Sequence, residues 1–368
     1  IIYYPCLTSV LSWLSARYTL VFITSIAPDF PLLGLGAAAG AETVLGPECM
    51  SLAMFYMCCA YAVNALSPKL AGKLQVSTTI IKLIPLFLMA IVGIVVGIAN
   101  GTLANNFNTL ADVGTTSTSP LFASVCATAF AYEGWIIATS INAELKDAKK
   151  NLPRALVIGA IIIIATYIFY YVGVAGGATN QELIDSGATV AFINVFGNVL
   201  GNILNLFIAI SCIGTMNGLM LGCVRGLYSI AVRGRGPAPH VFSQIDKETN
   251  MPHNSAIVGL LLCGFWGLYF FLANLAGTWS GPFVFDSSEL PIITIYMLYL
   301  PIFIMWIKKA TDETATRRYV LPILAICGSL FMIYASIMGH GIACFWYLIV
   351  FAAVMAVGFA FSKEKPIN

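Results

Sequence analysis

Three ionisable residues, Arg17, Lys82 and Glu133, lie inside apolar stretches of this 368-residue chain that are long enough to cross a bilayer. A charge at membrane depth is costly, so such a residue indicates either a function or a buried partner. Arg17 lies late in its stretch, where a guanidinium can extend to the interface. Lys82 and Glu133 lie at similar predicted depths. They form either a buried ion pair or titrating groups beside a solute pathway.

Sequence signatures of catalysis are absent. The chain contains no HExxH, Walker A, GxSxG or GxGD motif, and we expect no catalytic residues and no cofactor. Its three histidines, His240, His253 and His340, are too far apart in the sequence to predict a metal site. An intramembrane enzyme is therefore disfavoured.

The composition excludes a soluble protein, because 59% of the residues are hydrophobic and only 9% are charged. A net charge of +2 provides no basic surface for nucleic acid. Most of the ten cysteines lie in apolar runs without CxxC spacing, which is typical of small buried side chains.

Ten apolar segments predict an all-α polytopic membrane protein, because about 20 helical residues span a bilayer core. We place them at 1–27, 47–66, 74–99, 120–141, 155–176, 192–222, 255–274, 288–307, 319–338 and 341–361. The third and sixth are unusually long, which indicates tilt or an extension into water.

Positive charge alternates between the predicted loops. Apart from Arg17 and Lys82, every lysine and arginine lies in alternate loops or the tail: Lys69, Lys73, Lys146, Lys149, Lys150, Arg154, Arg225, Arg233, Arg235, Lys247, Lys308, Lys309, Arg317, Arg318, Lys363 and Lys365. Because cytoplasmic loops retain positive charge, the pattern predicts a cytoplasmic C-terminus.

The residues around Glu133 favour a functional interpretation. Residues 126–135 form a run of small residues followed by Phe130 and, within the span, Gly134 beside bulky aromatics. A glycine there is either a notch for helix packing or a break that exposes backbone polar groups to a solute.

Two ordered motifs resemble the amino acid, polyamine and organocation (APC) superfamily of permeases. The first is Phe130-Ala-Tyr-Glu-Gly-Trp135, followed by Glu144-Leu-Lys-Asp-Ala-Lys-Lys-Asn-Leu-Pro-Arg-Ala155, which is similar to the sixth helix and its following loop. The second runs from Gly214-Thr-Met-Asn-Gly218 through Arg225-Gly-Leu-Tyr228, Arg233-Gly-Arg-Gly-Pro237 and Met251-Pro-His-Asn254, and is similar to the eighth helix and its loop.

This resemblance covers essentially the whole chain and implies a LeuT-like transporter fold of twelve helices, with a five-plus-five inverted repeat. Ten of the twelve would be visible here, and the first two would be missing ahead of Ile1. The chain would then be a single transporter domain, with the rest of the first repeat at 1–119, the second repeat at 120–307 and the last two helices at 308–368.

The resemblance also implies a substrate site. Phe130 would be an aromatic gate, and the backbone of Ala131, Tyr132, Glu133 and Gly134 would contact the α-amino group of a substrate. Many relatives carry a small or neutral residue at the position of Glu133. A carboxylate there favours cationic substrates or carries a proton, and both options stay open.

Other contacts follow from the same resemblance. Lys82 lies in Thr79-Ile-Ile-Lys-Leu-Ile-Pro85, where the ammonium would replace a sodium ion and couple proton movement to transport. A desolvated lysine releases its proton more readily than one in water, so this role is chemically reasonable. Ser211, Thr215 and Asn217 would add polar contacts, although polar residues also join helices to each other.

Together these features predict a secondary transporter of amino acids or related amines, acting by alternating access as a proton symporter or exchanger. Its expected partners are the small-molecule substrate, the lipid bilayer and protons, and we expect it in the plasma membrane. The main alternative is a passive channel or receptor-like membrane protein, and an intramembrane enzyme comes third.

Overall fold

The computed structural model describes residues 1–27, 47–108, 120–132, 134–140, 145–279 and 281–363. Within these ranges the chain is helical and contains no β-strand. The helices are α1 (Tyr3–Ile26), α2 (Pro47–Leu66), α3 (Pro68–Leu88), α4 (Ile94–Ala99), α5 (Thr102–Asn108), α6 (Pro120–Tyr132), α7 (Ile137–Ser140), α8 (Ala148–Gly177), α9 (Asn180–Ser186), α10 (Ala188–Phe196), α11 (Asn198–Ala231), α12 (Pro239–Phe242), α13 (His253–Tyr269), α14 (Leu290–Lys309), α15 (Leu321–His340) and α16 (Ile342–Ala360).

Three π-helical stretches in the described ranges join or extend these helices: Met89–Gly93, Phe270–Leu275 and Thr316–Val320. The first lies just after Pro85, which is inside α3. Because proline lacks an N–H and its ring clashes with the preceding turn, a widened turn is an ordinary way to continue such a helix.

Ten helices of the described chain are long and apolar enough to cross a membrane. Each overlaps one of the ten predicted spans, so the all-helical, polytopic prediction is confirmed. The sixth predicted span, 192–222, is shifted, because α11 begins only at Asn198, after the separate helix α10, and continues to Ala231. The third and sixth spans are long as expected, at 31 and 34 residues. The fifth is also long, at 30 residues, because α8 already begins at Ala148, in the cationic segment before the apolar run.

The turn after α8 is held by a capping box. The Thr179 hydroxyl accepts a hydrogen bond from the Glu182 N–H, and the Glu182 carboxylate accepts one from the Thr179 N–H at 2.8 Å. These bonds to Thr179 hold the pKa of the Glu182 carboxyl below its usual range. The capping box starts α9 directly after the membrane span, which keeps the connection to α10 short.

Helix α11 lies at the centre of the fold and packs against α1, α2, α3, α10 and α13. Glycines allow two of these close approaches. A Cβ on Gly259 of α13 would lie 2.6 Å from the Cys223 carbonyl oxygen of α11, and one on Gly214 of α11 would overlap Thr78 of α3. Small residues let membrane helices approach closely where lipid provides no hydrophobic driving force.

A second close contact joins the stretch from Met89 to α4 with α8. We call it the glycine seam, formed by Gly93, Gly97, Gly173 and Gly176. A Cβ on any of these four residues would overlap backbone atoms of the facing helix. The two helices therefore touch through their backbones rather than through side chains.

Hydrogen bonds show which helix ends share a side. The Gly236 N–H, just after α11, donates to the Phe361 carbonyl at the end of α16 at 3.0 Å. His340 at the end of α15 lies beside Glu289 at the start of α14, with its Nε2 atom 3.1 Å from the Glu289 Oε2 atom. The loop after α11 and the end of α16 thus lie on one side, as the alternating pattern of positive charge requires.

Candidate functional site

The helix that contains the first motif is interrupted within the span. Helix α6 ends at Tyr132, and α7 begins at Ile137. Between them Gly134 has a φ of +104°, a backbone conformation that favours glycine. The Ile137 N–H donates to the Gly134 carbonyl and the Ala138 N–H to the Trp135 carbonyl, at 3.0 and 3.1 Å, so a tight turn replaces the regular helix. The predicted interruption is present at Gly134, while Glu133 lies outside the described residues.

A cavity of about 180 Å³ opens beside this interruption. Its described lining residues come from three elements: Leu7 and Leu11 of α1; Phe130, Ala131, Gly134 and Ile137 around the interruption; and Ser211, Cys212, Thr215 and Leu219 of α11. An engineered cavity of about 150 Å³ holds benzene, so this volume suits a solute with only a few more heavy atoms.

The polar side of the cavity is formed by α11. Ser211, Thr215 and Leu219 lie four residues apart and therefore share one helix face. The Thr215 hydroxyl donates back to the Ser211 carbonyl at 3.0 Å. The Ser211 hydroxyl has no hydrogen-bond partner in the described part of the chain, so it is available to a solute.

No charged side chain lines the cavity among the described residues. Its walls combine aliphatic side chains with two hydroxyls, the Cys212 thiol and the backbone at Gly134. The described part of the lining is therefore mainly apolar.

Phe130 lies on the cavity wall and packs against the buried core of α1 and α11. It comes from the last turns of α6, so its ring lies next to the interruption. This position agrees with the expected aromatic gate, and its role as a gate stays a prediction.

Ala131 and Tyr132 still belong to the last turn of α6. The Ala131 carbonyl accepts a hydrogen bond from the Tyr167 hydroxyl of α8 at 3.0 Å. The Tyr132 and Tyr167 rings make an edge contact, with centroids 5.0 Å apart. The backbone around the interruption is therefore joined to α8, a contact that sequence reasoning missed.

Asn217 does not line the cavity in the described structure; it is buried in a polar network between helices. Its side-chain oxygen accepts a hydrogen bond from Asn64 of α2 at 2.8 Å, and its amide donates to the Ala71 carbonyl of α3 at 3.3 Å. The network joins α2, α3 and α11. This position favours the helix-joining alternative for Asn217 over a substrate contact.

Lys82 is partly buried on α3 and has no hydrogen bond or ion pair in the described ranges. Its helix packs against α11, which contributes Cys212 to the cavity wall. The alternative of an ion pair with Glu133 involves a residue that the structure does not describe.

The other predicted intramembrane charge, Arg17, is exposed. Its guanidinium lies over the rings of Trp13 and Tyr18, with centroid distances of 5.4 and 5.8 Å. This arrangement agrees with the interfacial interpretation, because aromatic rings at the interface stabilise a cation. In the described chain, no group of three His, Cys, Asp or Glu residues is arranged to hold a metal ion.

Comparison with known proteins gives a family match over nearly the whole chain. The profile of the family described as "Amino acid permease" matches residues 1–361. Several similar curated proteins are named as transporters or exchangers of amino acids.

The serine/threonine exchanger SteT of Bacillus subtilis (strain 168) is 26% identical over 341 residues, which cover 90% of this chain and 72% of SteT. The b(0,+)-type amino acid transporter 1 of Rattus norvegicus is 26% identical over 78% of this chain and 57% of the relative. The Asc-type amino acid transporter 1 of Mus musculus is 29% identical over 72% of this chain. The chain spans about half the length of these two mammalian relatives.

Proposed function

This chain belongs to the amino acid permease family, and from that premise we propose that it transports small neutral amino acids across a membrane. Family membership indicates a transporter rather than an enzyme. The ten apolar helices are those of an integral membrane protein.

The observation that carries the proposal is the cavity at the α6 interruption. A break inside a membrane helix takes backbone polar groups out of the regular helical pattern, and such groups beside a cavity suit the charged amino and carboxylate groups of an amino acid. The 180 Å³ volume and the uncharged described lining support a substrate with a small neutral side chain. The Ser211 hydroxyl has no partner among the described residues, and this favours a substrate that carries a hydroxyl of its own.

The mode of transport that we propose is exchange by alternating access. One similar protein is named a serine/threonine exchanger, and that name supports exchange over uncoupled flux. Lys82 is our candidate for coupling to protons. It lies on α3, which packs against the cavity-lining helix α11, and it is not among the described lining residues.

We also propose residence in the plasma membrane with a cytoplasmic C-terminus. The support is the alternation of positive charge, which is retained on the cytoplasmic side of membrane proteins.

The test is a counterflow assay with the full-length protein in proteoliposomes. Vesicles are loaded with unlabelled serine and diluted into radiolabelled serine, with a panel of other amino acids and a polyamine as competitors. We expect saturable accumulation that serine, threonine and alanine inhibit and that arginine and the polyamine do not. Flux without saturation or counterflow would indicate a channel, and inhibition mainly by arginine would contradict the neutral substrate class.

A further inference from the structure

Helix α8 contributes one polar contact to the interrupted helix. Tyr167 follows the exposed apolar run of Ile161 to Ile164. Its hydroxyl donates to the Ala131 carbonyl, 36 positions earlier in the chain, at 3.0 Å. A hydroxyl within a membrane span needs such a partner, because hydrocarbon offers none.

The Ala131 carbonyl needs a partner for the same reason. In a regular helix it would accept a hydrogen bond from the N–H four residues later, at Trp135. The interruption removes that arrangement, because α6 ends at Tyr132 and Gly134 adopts a positive φ. The Tyr167 hydroxyl replaces the lost helical donor.

Ala131 lines the cavity, whereas Tyr167 is not among its described lining residues. The ring of Tyr167 also packs edge-on against Tyr132, with centroids 5.0 Å apart. The Tyr167 side chain thus attaches the open end of α6 to α8 through two contacts, a hydrogen bond and a ring contact. Among the described residues, the α6 backbone is therefore the link between Tyr167 and the cavity.

We propose that Tyr167 is a positioning residue of the substrate site: its hydroxyl holds the Ala131 carbonyl and thereby fixes the cavity-lining end of α6. This inference rests on the proposed transport function. It assigns to α8 a role in substrate affinity that does not involve contact with the substrate.

The test compares two substitutions that each remove one tyrosine hydroxyl from α8. Tyr167→Phe keeps the ring contact with Tyr132 and removes only the hydrogen bond. Tyr171→Phe is the matched control, since Tyr171 is 67% exposed and has no hydrogen bond in the described structure.

Serine counterflow in proteoliposomes gives KM and the maximal rate for both variants. We expect Tyr167→Phe to raise KM by about twofold to tenfold, the change that follows from losing one hydrogen bond of ordinary net strength. Tyr171→Phe is expected to keep the wild-type KM. KM does not depend on the number of folded molecules, so a lower yield of the variant does not change this comparison. A wild-type KM in Tyr167→Phe would overturn the proposal.

Hydrogen–deuterium exchange provides a readout that does not require transport. Peptides covering residues 130–138 are expected to exchange faster in Tyr167→Phe than in Tyr171→Phe, because the open end of α6 loses its anchor. Equal exchange in the two variants would overturn the inference even if transport were observed. A third outcome is faster exchange in Tyr167→Phe together with no serine counterflow in the wild type. That outcome would support the anchoring contact and refute the proposed function.

Discussion

The sharpest prediction concerns the hydroxyl of Ser211. Replacing Ser211 with alanine removes the one cavity hydroxyl that has no partner in the described chain and leaves the backbone of α11 unchanged. The neighbouring Thr215 hydroxyl already donates to the Ser211 carbonyl, so it cannot also donate to a solute. We therefore expect Ser211→Ala to weaken recognition of a substrate hydroxyl specifically.

The magnitude follows from the hydrogen bond that is lost. A neutral hydrogen bond contributes a net stabilisation of about 0.5–1.5 kcal/mol, which corresponds to about a twofold to tenfold change in affinity. Serine and alanine differ only in this hydroxyl. The ratio of their apparent affinities should thus fall by that factor in Ser211→Ala, with the affinity for alanine nearly unchanged.

The assay is competition by serine and by alanine against radiolabelled substrate in proteoliposomes. Ser229→Ala is the matched control, because Ser229 is an exposed serine on the same helix whose hydroxyl donates to the Gly226 carbonyl. The control should keep the wild-type ratio. An equal loss of affinity for serine and alanine in Ser211→Ala would refute the reasoning. It would mean that the Ser211 hydroxyl contacts a group that both substrates share.

Four further predictions use other parts of the structure. Phe130→Ala should lower kcat/KM for uptake by about tenfold, or ~1.4 kcal/mol, with normal amounts of protein in the membrane; wild-type uptake would remove the gate assignment. Lys82→Ala should abolish the pH dependence of transport, because a lysine removed from water releases its proton more readily than one in water. An unchanged pH profile of uptake would contradict the coupling role. Gly173→Ala should destabilise the protein by about 1–3 kcal/mol, because the added methyl group would overlap the facing helix in the glycine seam. Gly159 faces open space on the same helix, so Gly159→Ala should stabilise the protein by ~0.5–1 kcal/mol. Thermal unfolding in detergent measures the two opposite effects. Hydrogen bonds from the Thr249 N–H and hydroxyl hold the pKa of Asp246 below its usual range. These bonds should stabilise the loop fully above about pH 4 and be lost as the pH falls through the lowered pKa. Hydrogen exchange of the loop as a function of pH measures this loss.

The spans could be predicted from the sequence because the signal is strong. Each needs about 20 apolar residues, and loops rich in charge, glycine or proline separate them. The length of α8 was underestimated, since its first turns carry Lys149, Lys150 and Arg154 and do not look like a membrane segment. Hydropathy detects the part of a helix in lipid, not the part that extends into water. The division into repeats at 1–119, 120–307 and 308–368 stays a prediction.

The candidate site could be predicted in part. A glycine beside bulky aromatics within a span left a packing notch and a break both open, and the structure shows the break at Gly134. Ser211 and Thr215 do reach the cavity. Asn217 could not be told apart from them, because a polar residue on a membrane helix serves a solute or a neighbouring helix equally well. Only the positions of Asn64 and Ala71 settle which surface Asn217 faces.

Other contacts of the site depend on residues that are far apart in the sequence. Leu7 and Leu11 reach the cavity from α1 because α1 packs against α11, and nothing in their local sequence marks them. Tyr167 is one of several tyrosines in an apolar helix, and the spacing alone does not show which one bonds to Ala131. A periodic reading of α11 could have found Leu219, which lies on the face of Ser211 and Thr215.

The glycine seam limits where this molecule can be altered. Along Gly93, Gly97, Gly173 and Gly176 there is room only for hydrogen atoms, so the distance between the two helices cannot be adjusted by exchanging side chains. Variants selected for bulkier solutes would have to gain space elsewhere, at residues such as Leu219 or Thr215 whose side chains can be shortened. In a library of mutants that randomises all positions equally, most variants with a substitution at one of these four glycines should therefore fail to fold.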